Sequence, residues 1–157
     1  MTEWIKIVGG TRTAPYTQNQ HEIWDQRHVW FPGKGTSVAA GDRLFLYTGH
    51  PLQRFFSICT VLEDPSIRIN AEEGLHLRCR VQPHLTLSDL AVYGVRAESV
   101  FPLPGGARLI SLRQKSHLQI ETDDAVRLIT HLVAALTREL SAIMDAPIQK
   151  SLFPDRR

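Results

Sequence analysis

The spacing of apolar residues changes once along this chain, and that change restricts the available folds more than any other feature. In LHLRCRVQ, residues 75–82, Leu75, Leu77, Cys79 and Val81 alternate with His76, Arg78, Arg80 and Gln82. A period of two puts the first set on one side of a strand and the second on the other, as in a half-buried antiparallel strand. From Thr122 the spacing becomes three and four. Val126, Ile129, Val133, Leu136, Leu140 and Ile143 then fall on one helical stripe. Thr122 can cap that helix, and Asp123 and Asp124 suit the positive end of its dipole. Asp145-Ala146-Pro147 is expected to end it, because proline cannot continue the hydrogen-bond ladder. Leu128 and Leu132 widen the apolar face beyond a coiled-coil seam, so the stripe is expected to pack on the domain's own sheet.

The segment before residue 75 supplies further strands. EWIKIVG, residues 3–9, is a first strand closed by Gly9-Gly10. Arg43–Thr48 and Phe55–Glu63 form a hairpin across Gly49-His50-Pro51. Between them, residues 11–37 are polar and turn-rich, with a short helix expected near residues 18–27. After residue 82, TLSDLAVYG reads as one or two helical turns, and RLISL and HLQI as short strands. Several short strands with one long terminal helix define an α+β domain, its bent antiparallel or mixed sheet closing toward a barrel with flanking helices. Residues 1–147 are expected to form that single domain and residues 148–157 a short tail.

Chemistry is less legible. The 157 residues hold 18 Lys and Arg against 16 Asp and Glu, spread evenly along the chain. Such a balance permits a nucleic-acid partner without demanding one. Cys59 and Cys79 lie in apolar runs and read as buried free thiols of a reducing compartment. A zinc site drawn from Cys59, His76, Cys79 and His84 lacks the paired short spacings of structural zinc, so no metal is expected, and no cofactor. There is no leader-like start and no run long enough to span a bilayer, which makes the cytoplasm the expected location and excludes a membrane partner. Nucleophile elbows, metalloprotease motifs and phosphate-binding loops are absent, so binding is expected rather than catalysis.

The aromatic residues carry more information. Trp4, Trp24 and Trp30 fall in the first 30 residues, and Tyr47 ends the run SVAAGDRLFLYTGH. In order, the chain has WIKI, IWDQRHVW, VAAGDRLFLYTG and FFSICTVLEDP. Trp4, Trp24-Asp25, Gly41-Asp42, Tyr47, Val61 and Pro65 follow the order of the EVE pattern. The chain thus resembles the PUA-like superfamily, EVE domains most closely, with YTH and ASCH domains as relatives. The resemblance covers about the first 65 residues. It departs where the family's longer Trp-Asp stretch is here only WDQRH, and where its Tyr-His-Ser is Tyr47-Thr48-Gly49.

The resemblance implies a module that captures a single modified base of DNA or RNA in an aromatic pocket. A reader of that kind needs something to act on what it reads, so a separate effector protein is an expected partner. Trp24, Trp30 and Tyr47 are the expected walls, with Trp4 next. Asp25 and Thr48 would discriminate between bases, and Arg27, Lys34, Arg43 and Arg54 would meet the phosphates. Asp42 is expected only to pin its turn. The alternative is an ASCH-like hydrolase acting on RNA or a modified nucleoside, for which Lys6, Thr48 and Glu63 are the nearest residue types.

Overall fold

Branched and aromatic residues dominate the paired segments, as a pleated, half-buried surface favours. A computed structural model of the protein describes residues 1–8, 26–32, 36–49, 52–70, 74–112 and 115–152. The strands are β1 (Glu3–Ile7), β2 (His28–Pro32), β3 (Arg43–Thr48), β4 (Arg54–Val61), β5 (Ser66–Asn70), β6 (Gly74–Thr86), β7 (Val95–Arg96) and β8 (His117–Ile120). They run in the order β2-β6-β4-β3-β1-β8, with β5 added to β6 and β7 to β4. β1 pairs parallel to β3, with Trp4 opposite Leu44 and Lys6 opposite Leu46, and antiparallel to β8. The expected hairpin is β3–β4. The alternating run at 75–82 lies inside the longer β6, where Leu77, Cys79 and Val81 are buried and Arg80 and Gln82 exposed.

Gly41 turns the chain into β3 at φ +90, a conformation that strains any residue with a Cβ. The neighbouring Asp42 has the structural role expected of it. Its carboxylate accepts from the Thr2 amide at 2.9 Å, the Ala39 amide at 3.0 Å and the Trp4 indole at 3.0 Å. Burial raises its pKa, but these donors and the nearby N-terminal charge outweigh burial and leave it below the ordinary value.

Register shifts between Leu46 and Tyr47 and between Ile58 and Cys59 mark bulges, which bend and twist a sheet. The curl brings the two ends of the strand order together. Phe31 of β2 and His117 of β8 lie with ring centroids 5.1 Å apart. The sheet is therefore a curled half-barrel with an inner and an outer face.

Two short helices, α1 (Leu90–Tyr93) and α2 (Ala97–Val100), and a 3₁₀ turn at Leu109–Leu112 lead to β8 and then to the long α3 (Thr122–Leu152). The 3₁₀ turn replaces the strand expected at RLISL. Ser111 donates its amide to the Arg108 carbonyl and accepts the Arg108 amide on its hydroxyl, so local bonds displace a sheet partner. The helix expected near residues 18–27 lies outside the described residues, apart from a bend at 26 and 27.

α3 covers the outer face, but with a different stripe from the one expected. Ala125, Leu128, Leu132 and Ala135 are buried in one cluster with Ile5, Phe45, Tyr47 and Phe55. Val126, Val133, Leu140 and Ile143 are about half exposed instead, and Ile129 and Leu136 only partly covered. The small side chains of Ala125 and Ala135 allow close approach to the sheet. Glu139 fits the same face because its Oε1 accepts the Asp89 amide at 2.7 Å. The helix also runs past Pro147 to Leu152. A proline removes one rung of the ladder, and the described side chains from Leu140 to Asp145 are all exposed, so little packing resists a local distortion.

Candidate functional site

Alternation along β1 and β3 sends Trp4, Lys6, Leu44, Leu46 and Thr48 inward, and Ile5, Phe45 and Tyr47 outward onto α3. The inner face holds apolar groups from β2, β4 and β6, and among them a buried ammonium. Lys6 is 5% exposed. Its Nζ donates to the Ile7 carbonyl at 2.9 Å and the Ser116 carbonyl at 3.2 Å, and lies 5.1 Å from the centre of the Phe31 ring. No carboxylate faces it among the described residues. Burial holds its pKa down to about 8.

His117 stands beside this ammonium. Its Nε2 is 2.9 Å from the Thr36 hydroxyl and its Nδ1 2.6 Å from the Ser116 hydroxyl. Burial first, and then the charges of Lys6 and Lys115, lower its pKa. A neutral ring between two hydroxyls donates to one and accepts from the other. The Trp4 ring lies 5.4 Å from that of His117, so Trp4, Phe31 and His117 group three rings in the interior, in the cluster that also buries Phe56. Thr48 is wholly buried, and its hydroxyl has no partner among the described residues. A donor and acceptor of this kind is costly to bury unless something bonds it.

The predicted wall is thus divided. Trp4 lies inside. Tyr47 belongs to the outer core against Phe55, with ring centroids 4.9 Å apart, because in the parallel register it follows Ile5 and Ile7 rather than Trp4 and Lys6. Trp30 alternates with the inward Val29 and Phe31, is 41% exposed, and lies with its ring centre 5.3 Å from the Arg78 guanidinium. Trp24, Asp25 and Lys34 lie outside the described residues. Phe31 and His117 were missed. A lone histidine carries no signal, and only the β1–β8 pairing brings it beside Lys6.

The predicted phosphate ligands also separate. Arg43 is engaged by Glu3 at 2.9 Å, and Arg27 is exposed near the start of β2. Arg54 enters a different setting. The strand registers place Thr48, Arg54 and Arg96 in one cross-strand row. Arg54 and Arg96 line a cavity of about 260 Å³ together with His131 and Arg138 of α3, and among the described residues no carboxylate lines it. Arg54 donates to the Gly94 carbonyl at 2.9 Å, while its buried Nε has no partner among the described residues. A Cβ at Gly94 would collide with the Leu90 carbonyl and lie 2.9 Å from the Arg54 side chain, so glycine permits this close approach. Arg96 meets Glu98 at 3.7 Å across an exposed surface.

The remaining candidates are simpler. Cys59 and Cys79 are free and buried, and burial pushes both thiols up to about 12, which makes them inert at neutral pH. Among the described residues no three His, Cys, Asp or Glu side chains are grouped to hold a metal ion. Glu63 is held at the surface, with its Oε2 3.3 Å from Arg80 Nε. No described helix is long and apolar enough to cross a membrane.

A curled mixed sheet with a long C-terminal helix on its outer face defines a PUA-like α+β barrel. Solved structures bear this out at the level of the fold. Rpa0253 from Rhodopseudomonas palustris superposes with a TM-score of 0.58 at 12% identity, over 85% of this chain and 94% of its own. Atu2648 from Agrobacterium tumefaciens gives 0.57 at 11% identity, over 82% and 90%. A serine-to-alanine mutant of ZmASCH from Zymomonas mobilis gives 0.54 at 6% identity, over 82% and 95%. No family model and no curated protein matches the sequence.

Proposed function

We propose that this domain binds nucleic acid and holds a single modified base against the inner face of the half-barrel, in the manner of the EVE-type domains its sequence resembles. The observation that carries this reading is the cross-strand row of Thr48, Arg54 and Arg96. It sets a buried hydroxyl, unpartnered among the described residues, in one strand row with a cavity beside α3 whose described lining bears three guanidiniums and no carboxylate. Guanidiniums suit phosphate by charge and by their fork of donors. Inside, Trp4, Phe31 and His117 offer ring faces, while the Lys6 ammonium and the Thr48 hydroxyl offer polar contacts to a base edge. Trp30 with Arg78, on the outer side of β2, offers a further surface on which a neighbouring base can stack.

Titration with oligonucleotides carrying unmodified, methylated or hydroxymethylated bases tests both halves. Arg54→Gln and Arg138→Gln should weaken binding to all of them alike and reduce the salt dependence by about one unit of slope per lost phosphate contact. Thr48→Val should instead change the preference among bases. Equal, weak binding to every oligonucleotide, indifferent to these substitutions, removes the reading.

One observation favours hydrolysis as a second reading. Lys6, with its pKa near 8, and Thr48 share the inner face, and both are residue types expected of an ASCH-like enzyme. The carboxylate of Glu63 points the other way, since Arg80 occupies it at the surface. Turnover of RNA or an acylated cytidine, abolished in Lys6→Ala, would place this reading first.

A further inference from the structure

Helix α3 carries a second apolar face that its own domain leaves uncovered. Val126, Val133, Leu140, Ile143 and Met144 are 56%, 49%, 50%, 47% and 57% exposed, whereas Leu128 and Leu132 on the packed face are fully buried. Ile129 and Leu136, between the two faces, are partly covered. Soluble monomers seldom leave so continuous an apolar strip in water. Val126, Val133 and Leu140 recur every seven residues, as do Ile129, Leu136 and Ile143. That is the spacing of the two core positions of a coiled coil.

We propose that a second copy of this chain covers the strip, with the two α3 helices packed antiparallel about a two-fold axis. The strip is complementary to itself in that arrangement. An axis crossing between Ala134 and Ala135 sets Val126 against the partner's Ile143, Ile129 against the partner's Leu140, and Val133 against the partner's Leu136. One operation thus generates every layer, as an isologous contact requires. The flank is compatible with burial as well. Thr130 and Thr137 donate their hydroxyls to the Val126 and Val133 carbonyls of their own helix, at 2.8 and 2.9 Å. Their methyl groups are left to face the second helix, with no hydroxyl stranded at the seam. No charged side chain belongs to the strip. Its length, from Val126 to Ile143, is about 26 Å at ~1.5 Å per residue. A seam of about five helical turns is short, so monomer and dimer should exchange and the mass should depend on concentration.

Sedimentation equilibrium over a range of concentrations should show the mass rising from one chain to two. Leu140→Glu lies beyond the face packed on the sheet, so it should leave helicity and the melting temperature of the dilute protein unchanged. It should weaken association by at least about a hundredfold. A chain that stays monomeric to ~1 mM, or a dimer indifferent to Leu140→Glu, overturns the proposal. Orientation is read by oxidation. A mixture of Val126→Cys and Ile143→Cys proteins should form a cross-linked heterodimer, and Val126→Cys alone should not cross-link. Cross-linking by Val126→Cys alone would mean parallel helices and would overturn the antiparallel arrangement.

Discussion

The two faces of the sheet are built from the same strands and differ in what they bury. The outer face holds Ile5, Phe45, Tyr47 and Phe55 beneath Leu128 and Leu132, packed with aliphatic and aromatic groups. The inner face mixes Trp4, Leu44 and Leu46 with the Lys6 ammonium and the Thr48 hydroxyl, which has no partner among the described residues. Burying unmatched polar groups costs stability, so the inner face is the one whose composition a folding requirement alone does not explain. Apolar packing is concentrated on the outer side and the buried polar groups on the inner, one residue apart along each strand.

The largest effect should come from the outer face. Leu132→Ala leaves a cavity under α3 and should destabilise the fold by about 2–5 kcal/mol in urea unfolding. Below the unfolding transition, the relative affinities for different bases should be unchanged. A shift in base preference would show that the two faces are coupled through the strands.

Lys6→Met should act in the opposite direction. The ammonium titrates at about 8 in the fold, against an ordinary value of 10.5. Below pH 8 both folded and unfolded chains hold the proton, and the cost of burying the charge is present in full. Between 8 and 10.5 the unfolded chain holds a proton the fold has released, so stability rises with pH across that window. The methionine variant should be more stable at neutral pH by roughly 1–3 kcal/mol and should lose this rise. Base preference should suffer at the same time. A destabilised variant would mean that the ammonium's two carbonyl bonds outweigh its burial.

Thr48→Val should give the smallest change in stability, a gain of about 1 kcal/mol from removing a buried hydroxyl that no described residue bonds. Chemical denaturation measures the gain and oligonucleotide titration the accompanying change in preference. A loss of stability would show that the hydroxyl is satisfied in solution.

Much of the frame was legible from periodicity. The β3–β4 hairpin, the alternation within β6, the first strand and the existence of a long helix all follow from local spacing and turn residues. β2 was not assigned, because five residues with a tryptophan among them show too little alternation to distinguish from loop. The packed face of α3 was misread for a physical reason. Ala125, Leu128, Leu132, Ala135 and Glu139 are spaced as regularly as the six large aliphatics, but two alanines and a glutamate hide an apolar face whose contact depends on small size. At the site, the side of the sheet that Tyr47 occupies depends on the parallel register with β1, and strand composition does not encode register. Asp42 could be read locally because its turn is local.

The position of β1 has a consequence for synthesis. Its neighbours are β3, which follows within about forty residues, and β8, which follows more than a hundred residues later. A nascent chain can therefore pair β1 with β3 early while the other edge of β1 stays bare, free to take a strand from another chain. β8 and α3 are separated only by Glu121, so the missing edge and the cover for the outer face leave the ribosome together. Aggregation during translation, before that last segment emerges, is where this topology is exposed.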